Sequence, residues 1–275
     1  MKTVLIAVPY DSGHYNTRMG AGPSQLLPVV ESALLQDGHA VRTEVVAASA
    51  VFPTEITTNF ELCRLVADHV AQAKENGELP VIFSGNCNTA ALGALGGLQH
   101  RSGLIWFDCH GDFNTPETTI GGFLDGMALA MATGDCWKAL TQSITGFQPI
   151  AQSQCILVGT RDLDPLEAER LAASPITIIP PKTINDTIDL DRQFFPMYSI
   201  YLHIDLDVLD PDEVRANAFS TSGGITVKAL LKCITFIRSK YTIAAVSFTA
   251  YNPSLDPEHK VHAVVQSIIQ HIVTS

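Results

Sequence analysis

The sequence predicts a three-layer α/β/α domain around a mainly parallel eight-stranded sheet, and three observations lead there. Short runs rich in Val, Ile and Leu recur along the 275 residues, segments of helical period separate most of them, and the composition is 46% hydrophobic against 16% charged, enough for a large core. Continuous rather than alternating hydrophobicity marks strands buried on both faces, which is the condition of a parallel sheet covered by helices. Regular exchange of strand and helix along a chain builds that layered architecture.

Taken in order, 3-TVLIAVP-9 reads as the first strand, and 23-PSQLLPVVESALLQDG-38 as a helix that opens on Pro23 and stops at Gly38. The stretch 41-VRTEVVA-47 alternates polar and apolar residues, which suits an edge strand. A helix over 59-NFELCRLVADHVAQAKENG-77 ends at Gly77, and the buried strands 80-PVIFSG-85, 104-LIWFD-108 and 155-CILVGT-160 follow. Pro165 starts a helix within 163-LDPLEAERLAAS-174, ahead of the strand 175-PITIIP-180. The run 199-SIYLHIDLD-207, a helix over 226–240, the strand 243-IAAVSFTA-250 and a helix over 258–273 complete the set. No linker, repeat or charge block interrupts this pattern, so residues 1–275 are expected to form one domain.

A formal charge of -11, from 28 acidic and 17 basic residues, opposes binding to a polyanion, so nucleic acid is not an expected partner. The six cysteines lack paired spacings in a chain too large to need staples, which suits a reducing compartment. Pro9, Tyr10 and Asp11 cut the first apolar run short of a signal core or membrane span. The expected setting is the cytoplasm, with no membrane partner.

In parallel α/β sheets, functional residues gather at the carboxyl ends of strands. Those positions here hold Asn86, Cys87 and Asn88 after the strand 80-PVIFSG-85, Asp108, His110 and Asp112 in 107-FDCHGDFNTPETT-119, and Asp205, Asp207 and Asp210 in 203-HIDLDVLDP. Residues two apart leave a strand on one side, so each aspartate motif converges on a point. The Asp-x-His-x-Asp motif alone is more often a capped turn, the Asp-x-Asp motif less so, and Cys87 alone is more often a packing residue. Both motifs at the ends of buried strands bring several carboxylates together, and like-charge repulsion with desolvation would cost several kcal/mol unless a cation sat among them. A mixed carboxylate and imidazole set suits manganese, with iron, nickel or zinc as alternatives.

With 83-FSGNCNTA, 107-FDCHGDFNTPETT, 124-LDGMALA, 157-LVGTRDLDPLE, 203-HIDLDVLDP, 223-GGIT and 251-YNPSLDP in this order, the sequence resembles the arginase, or ureohydrolase, superfamily over most of its length. The resemblance implies two divalent metal ions, manganese first, with Asp108 and Asp205 as bridging carboxylates. Asp112 would complete one metal, and His110 with Asp207 the other. Cys87 stands where the usual pattern has a histidine ligand, as in the branch typified by Nω-hydroxy-L-arginine amidinohydrolase, which shares the GDFNTPETT run.

The reaction implied is attack by a metal-bridging hydroxide on a planar amidine carbon, with Asp112 passing the proton to the leaving amine. Asn114, Thr119 and Asp164 match positions that bind the amino-acid end of the substrate, and Asp125 stands at the proton-shuttle position. Gly121 and Phe123 replace a Ser and an Asn of arginases, and Ala250 replaces the guanidinium-binding glutamate, which removes a charge-assisted hydrogen bond of about 1.5–3 kcal/mol. The function expected is therefore a metal-dependent hydrolase of a guanidino or related amidine compound. A formimino or amide hydrolase on the same scaffold, or a catalytically degenerate metal-binding member, are the alternatives. The partner expected is a small molecule, and family precedent leaves room for a homo-oligomer.

Other conspicuous residues read as structural. His14, His39, His69, His100, His259, His262 and His271 lack metal-site spacing, and His203 is expected to face away from the aspartate pair. Trp106 and Trp137 read as packing aromatics. The glycines Gly93, Gly96 and Gly97 do not form a nucleotide-binding fingerprint, and no phosphate-binding loop ending in Lys and Ser or Thr is present.

Overall fold

A computed structural model describes residues 2–99, 102–186 and 190–273, so His100 lies outside the described residues. In chain order the strands are β1 (Lys2–Val8), β2 (Tyr10–Asp11), β3 (His14–Tyr15), β4 (Ala40–Val45), β5 (Leu79–Ser84), β6 (Gly103–Phe107), β7 (Cys155–Val158), β8 (Thr177–Ile179), β9 (Ser199–Asp205) and β10 (Thr242–Thr249). The helices are α1 (Gly22–Gln36), α2 (Glu55–Glu75), α3 (Cys87–Leu98), α4 (Ala128–Ala132), α5 (Lys138–Thr141), α6 (Pro165–Ala173), α7 (Pro181–Asp186), α8 (Val227–Lys240) and α9 (Lys260–Val273).

Eight strands form one sheet in the order β4-β1-β5-β10-β9-β6-β7-β8, every neighbouring pair parallel. The alternating segment is indeed at an edge, as β4. Strand alternation divides the core into two. Leu5, Phe83, Phe107 and Ile204 face one layer with Leu26 of α1, Ile234 of α8 and Val265 of α9. Val4, Ile6, Ile82 and Trp106 face the other with Phe60 and Val66 of α2, Leu92 of α3 and Leu129 of α4. This is the three-layer arrangement expected from the continuous apolar runs.

Helix α3 is not among the elements that the sequence predicts. All twelve of its residues are buried, so no amphipathic stripe marks it, and its three glycines lower helix propensity. Those glycines are there for contact. A Cβ on Gly93 would lie 2.5 Å from Val66 Cβ, and one on Gly97 would run into Val70 and the Ala67 carbonyl. Close packing of α3 on α2 is what sets the height of Cys87, the first residue of α3. No described helix is long and apolar enough to cross a membrane.

Candidate metal centre

Four strand ends meet at the middle of the sheet, in the order β5, β10, β9, β6. The register is level there: Thr249 pairs with Ser84 on one side and Asp205 on the other, and Phe107 pairs with Ile204. The chain goes from β5 through α3 to β6, which lies beyond two places later taken by β10 and β9. Segments remote in sequence thereby share one crevice above the carboxyl ends.

Three ligand-type clusters occur there among the described residues: Cys87, Asp108 and Asp112; Asp108, Asp205 and Asp207; and Cys109, His110 and Asp207. Within each, the donor atoms lie within 4.8 Å of one another. Asp108 belongs to the first two, and Cys87 Sγ lies 3.0 Å from Asp205 Oδ2, so both carboxylates face both halves of the centre. His110 Nδ1 is 3.3 Å from Asp108 Oδ1 and 3.5 Å from Asp207 Oδ2. The six residues singled out in the sequence therefore come together.

Each carboxylate is held by groups that leave part of it free. The Trp106 indole donates to Asp108 Oδ2 at 2.9 Å, and the His110 amide to Oδ1 at 2.7 Å. The Asp207 amide donates to Asp205 Oδ1, and the Asn217 side chain to Asp207 Oδ2 at 3.1 Å. The Arg161 guanidinium donates to the backbone carbonyls of Asp207, Val208 and Leu209, tying the loop after β7 to the end of β9. Asp112 has a left-handed backbone at φ 48°, and its Oδ2 is buried without a hydrogen-bond partner. An unpaired buried carboxylate oxygen beside Asp108 and Cys87 is expensive, and a divalent cation removes that cost. The donor set therefore fits cations of hard or borderline character, the thiol being its one soft member.

Electrostatics point the same way. Burial, then neighbouring carboxylates, raise the protonation of Asp112 and Asp205, and burial raises Asp108. Burial and Asp205 push the Cys87 thiol well up, in keeping with its donating to Asp205. Burial opposes the His110 imidazolium, yet Asp207 and Asp108 hold its protonation well above the ordinary range.

Asp125 is committed locally. Its Oδ2 accepts from Asn86 Nδ2 at 2.9 Å and Cys87 N at 3.0 Å, and its Oδ1 from Asn88 N at 2.8 Å. It thus caps α3 from outside the helix and orients Cys87, while burial brings its carboxyl up to about 7. Asn114, Thr119 and Asp164 line the same pocket, a cavity of about 220 Å³. Asn114 Nδ2 donates to Asp164 Oδ2 at 3.0 Å, and Thr119 Oγ1 accepts from Gly122 N. Asp210 is elsewhere: its oxygens accept from the Asp212 and Gly223 amides in a turn.

His203 does not face away from the aspartate pair. Positions 203 and 205 have the same parity, so both leave β9 on one face, and the residue lies beneath the centre. Its ring stacks on Trp106 at 3.6 Å, Nδ1 meets Tyr201 and Ser247 hydroxyls, and Nε2 lies 3.4 Å from Thr249 Oγ1. That hydroxyl in turn lies 3.1 Å from Cys87 Sγ. Trp106 is buried as expected, but it also holds Asp108, a role legible from its position two residues earlier on the strand. Glu167 was missed as well: it lines the pocket and accepts the Phe113 amide at 2.8 Å, and burial brings its carboxyl to about 7. The D-P-L-E capping box at Asp164 was the available signal.

Comparisons with known proteins agree with this geometry. The sequence model of the Arginase family matches residues 1–274. An arginase of Bacillus caldovelox is 30% identical over 216 residues, covering 74% of this chain and 71% of the relative. An arginase of Bacillus subtilis (strain 168) is 26% identical over 296 aligned positions, 99% of this chain and 98% of the relative. The native structure of the Bacillus caldovelox arginase superposes with a TM-score of 0.88 at 26% identity, covering 100% of this chain and 99% of the other. The parallel sheet, the paired aspartate motifs and the match along 1–274 agree, and the chain belongs to the arginase family.

Proposed function

We propose that this protein is a binuclear metal-dependent hydrolase that uses one water to cleave a C–N bond of a guanidino or related amidine compound, releasing an amine together with urea or a substituted urea from the former and an amide from the latter. The observation that supports this reading is the pair of ligand clusters sharing Asp108 on the floor of a pocket. Cys87, Asp108, Asp112 and Asp205 would hold one ion, and Asp108, His110, Asp205 and Asp207 the other. Manganese is the family's expectation, and the Cys87 thiol makes zinc or iron competitive at its side. Such a pair, when bound, supplies Lewis acidity and makes water acidic enough to react at neutral pH.

The chain's own residues do the rest. Asp112 presents its unpartnered oxygen at the pocket floor, placed to take a proton and return it to the leaving nitrogen. Asp125 lines the same wall, and with both oxygens engaged by Asn86 and α3 it exchanges a proton only as part of that cap. Asn114, Thr119 and Asp164 line the same pocket, where they help to orient the substrate.

One observation favours a second reading, a formimino or amide hydrolase. Ala250 contributes only a methyl group to the pocket, from a left-handed backbone at φ 61°, so a cationic head gains no carboxylate at that wall. A neutral planar group would lose nothing there.

Metal analysis after loading with Mn2+ or Zn2+, followed by a panel of guanidino, formimino and amide compounds, tests both. The expected result is two metal equivalents per chain and urea from a guanidino compound. Formamide or ammonia without urea would move the assignment to the second reading, and a chain that takes up no metal would sink both.

A further inference from the structure

The pocket has two unlike halves. Its floor is acidic, with Asp112, Asp205 and Asp207, whereas no Lys or Arg lines it among the described residues. Its outer rim carries two aromatic rings from different segments. Phe123 and Phe219 lie with centroids 6.0 Å apart at 29°, and both are solvent-exposed, by 38% and 52%. Single exposed apolar side chains need no explanation, but two aromatic rings paired at the mouth of a polar cavity make a contiguous apolar surface that a ligand can cover.

The Phe219 backbone is tied to the floor through a residue two positions away. Asn217 Oδ1 accepts the Phe219 amide at 2.8 Å while Asn217 Nδ2 donates to Asp207 Oδ2 and, at 2.9 Å, to the Ala250 carbonyl. Phe123 precedes Leu124 and Asp125, the residue that caps α3 at Cys87. The rim is thus placed at a set height above the metal-ligand cluster.

Among the described residues, the same rim offers no cation to an α-carboxylate. Cβ positions on Gly121 and Gly122 would face open space, so no side chain reaches in from that stretch. The ionisable groups beside it, Asp162 and Asp164, are carboxyls, and a substrate carboxylate there would meet like charge with no cation to offset it.

We propose that Phe123 and Phe219 are specificity-determining residues, and that the substrate is an amidine whose distal end is an uncharged aryl or alkyl group, not an amino acid. This rests on the hydrolase reading for the reacting end alone. The tail lies along or between the two rings while the planar head reaches the floor.

Binding of phenethylguanidine, methylguanidine and L-arginine to the full chain tests the idea, by calorimetry on the metal-free protein and by KM and kcat on the Mn2+-loaded protein. Wild type should bind phenethylguanidine tighter than methylguanidine, with L-arginine gaining nothing over methylguanidine. Phe219→Ala and Phe123→Ala should each shrink that preference by about two- to tenfold, through KM more than kcat, while Phe219→Leu keeps part of it. Circular dichroism verifies that each variant is folded. A preference for L-arginine, an aryl preference that survives both alanine variants, or no binding of any probe would overturn the proposal. Phenethylguanidine bound with the expected preference but never hydrolysed would leave the rim assignment standing and remove the hydrolase reading instead.

Discussion

Removing the Asp125 carboxylate should destabilise the protein by an amount set by the hydrogen bonds it accepts. In Asp125→Ala, the amides of Cys87 and Asn88 and the Asn86 side chain lose their acceptor inside a site that is 5% exposed. Each unsatisfied buried donor costs about 1–3 kcal/mol, and the two helix amides alone come to roughly 2–6 kcal/mol. An unfolding entropy of about 2.1 cal/mol/K per residue over 275 residues is roughly 0.58 kcal/mol/K, so Tm should fall by about 3–10 °C. In Asp125→Asn the amide oxygen can replace Oδ2, which serves Asn86 and Cys87, but its NH2 group faces the Asn88 amide, so about half the loss is expected. Relief of repulsion with Asp112 and Cys87 acts in the opposite sense, equally in both variants, so their difference isolates the hydrogen bonds. Thermal unfolding of the metal-free chain, followed by circular dichroism, reads this out. Equal Tm values for Asn and Ala would refute the account of Asp125 as the clamp on α3.

Two further outcomes follow from the same region. With Co2+ in place of the native metal, wild type should show near-ultraviolet thiolate-to-cobalt charge transfer that Cys87→Ser lacks, and Cys87→His should shift metal preference toward manganese; identical spectra for wild type and the serine variant would exclude the sulfur as a ligand. Gly93→Ala drives a methyl group against Val66 and should cost about 1–3 kcal/mol, with a measurable fall in metal affinity because α3 carries Cys87 at its tip; full retention of Tm and affinity would show that the α2–α3 contact does not position the ligand.

The buried strands were legible because their apolar runs are continuous, and β4 was legible as an edge because its pattern alternates. Helix α3 was not, since burial on all sides erases the periodic signal that sequence reading relies on. Asp108, His110 and Asp112 could be grouped because they are adjacent in the chain. Glu167, Asn217 and Thr249 could not, because each reaches the pocket floor or its supports from a different segment.

By itself, then, the order of residues determined the layered fold and the two aspartate motifs that present metal-type ligands, because strand periodicity and local spacing are properties of short stretches of chain, while the family was legible through the resemblance of those motifs, in order, to a known one. Only the tertiary structure decided that β10 and β9 fill the places between β5 and β6, so that Cys87 meets Asp205 and Thr249, Asp125 grips α3, His203 lies under the centre and two phenylalanines frame its mouth. The physical reason is that strand order and side-chain direction arise from packing both faces of the whole sheet at once, and no local segment carries that information.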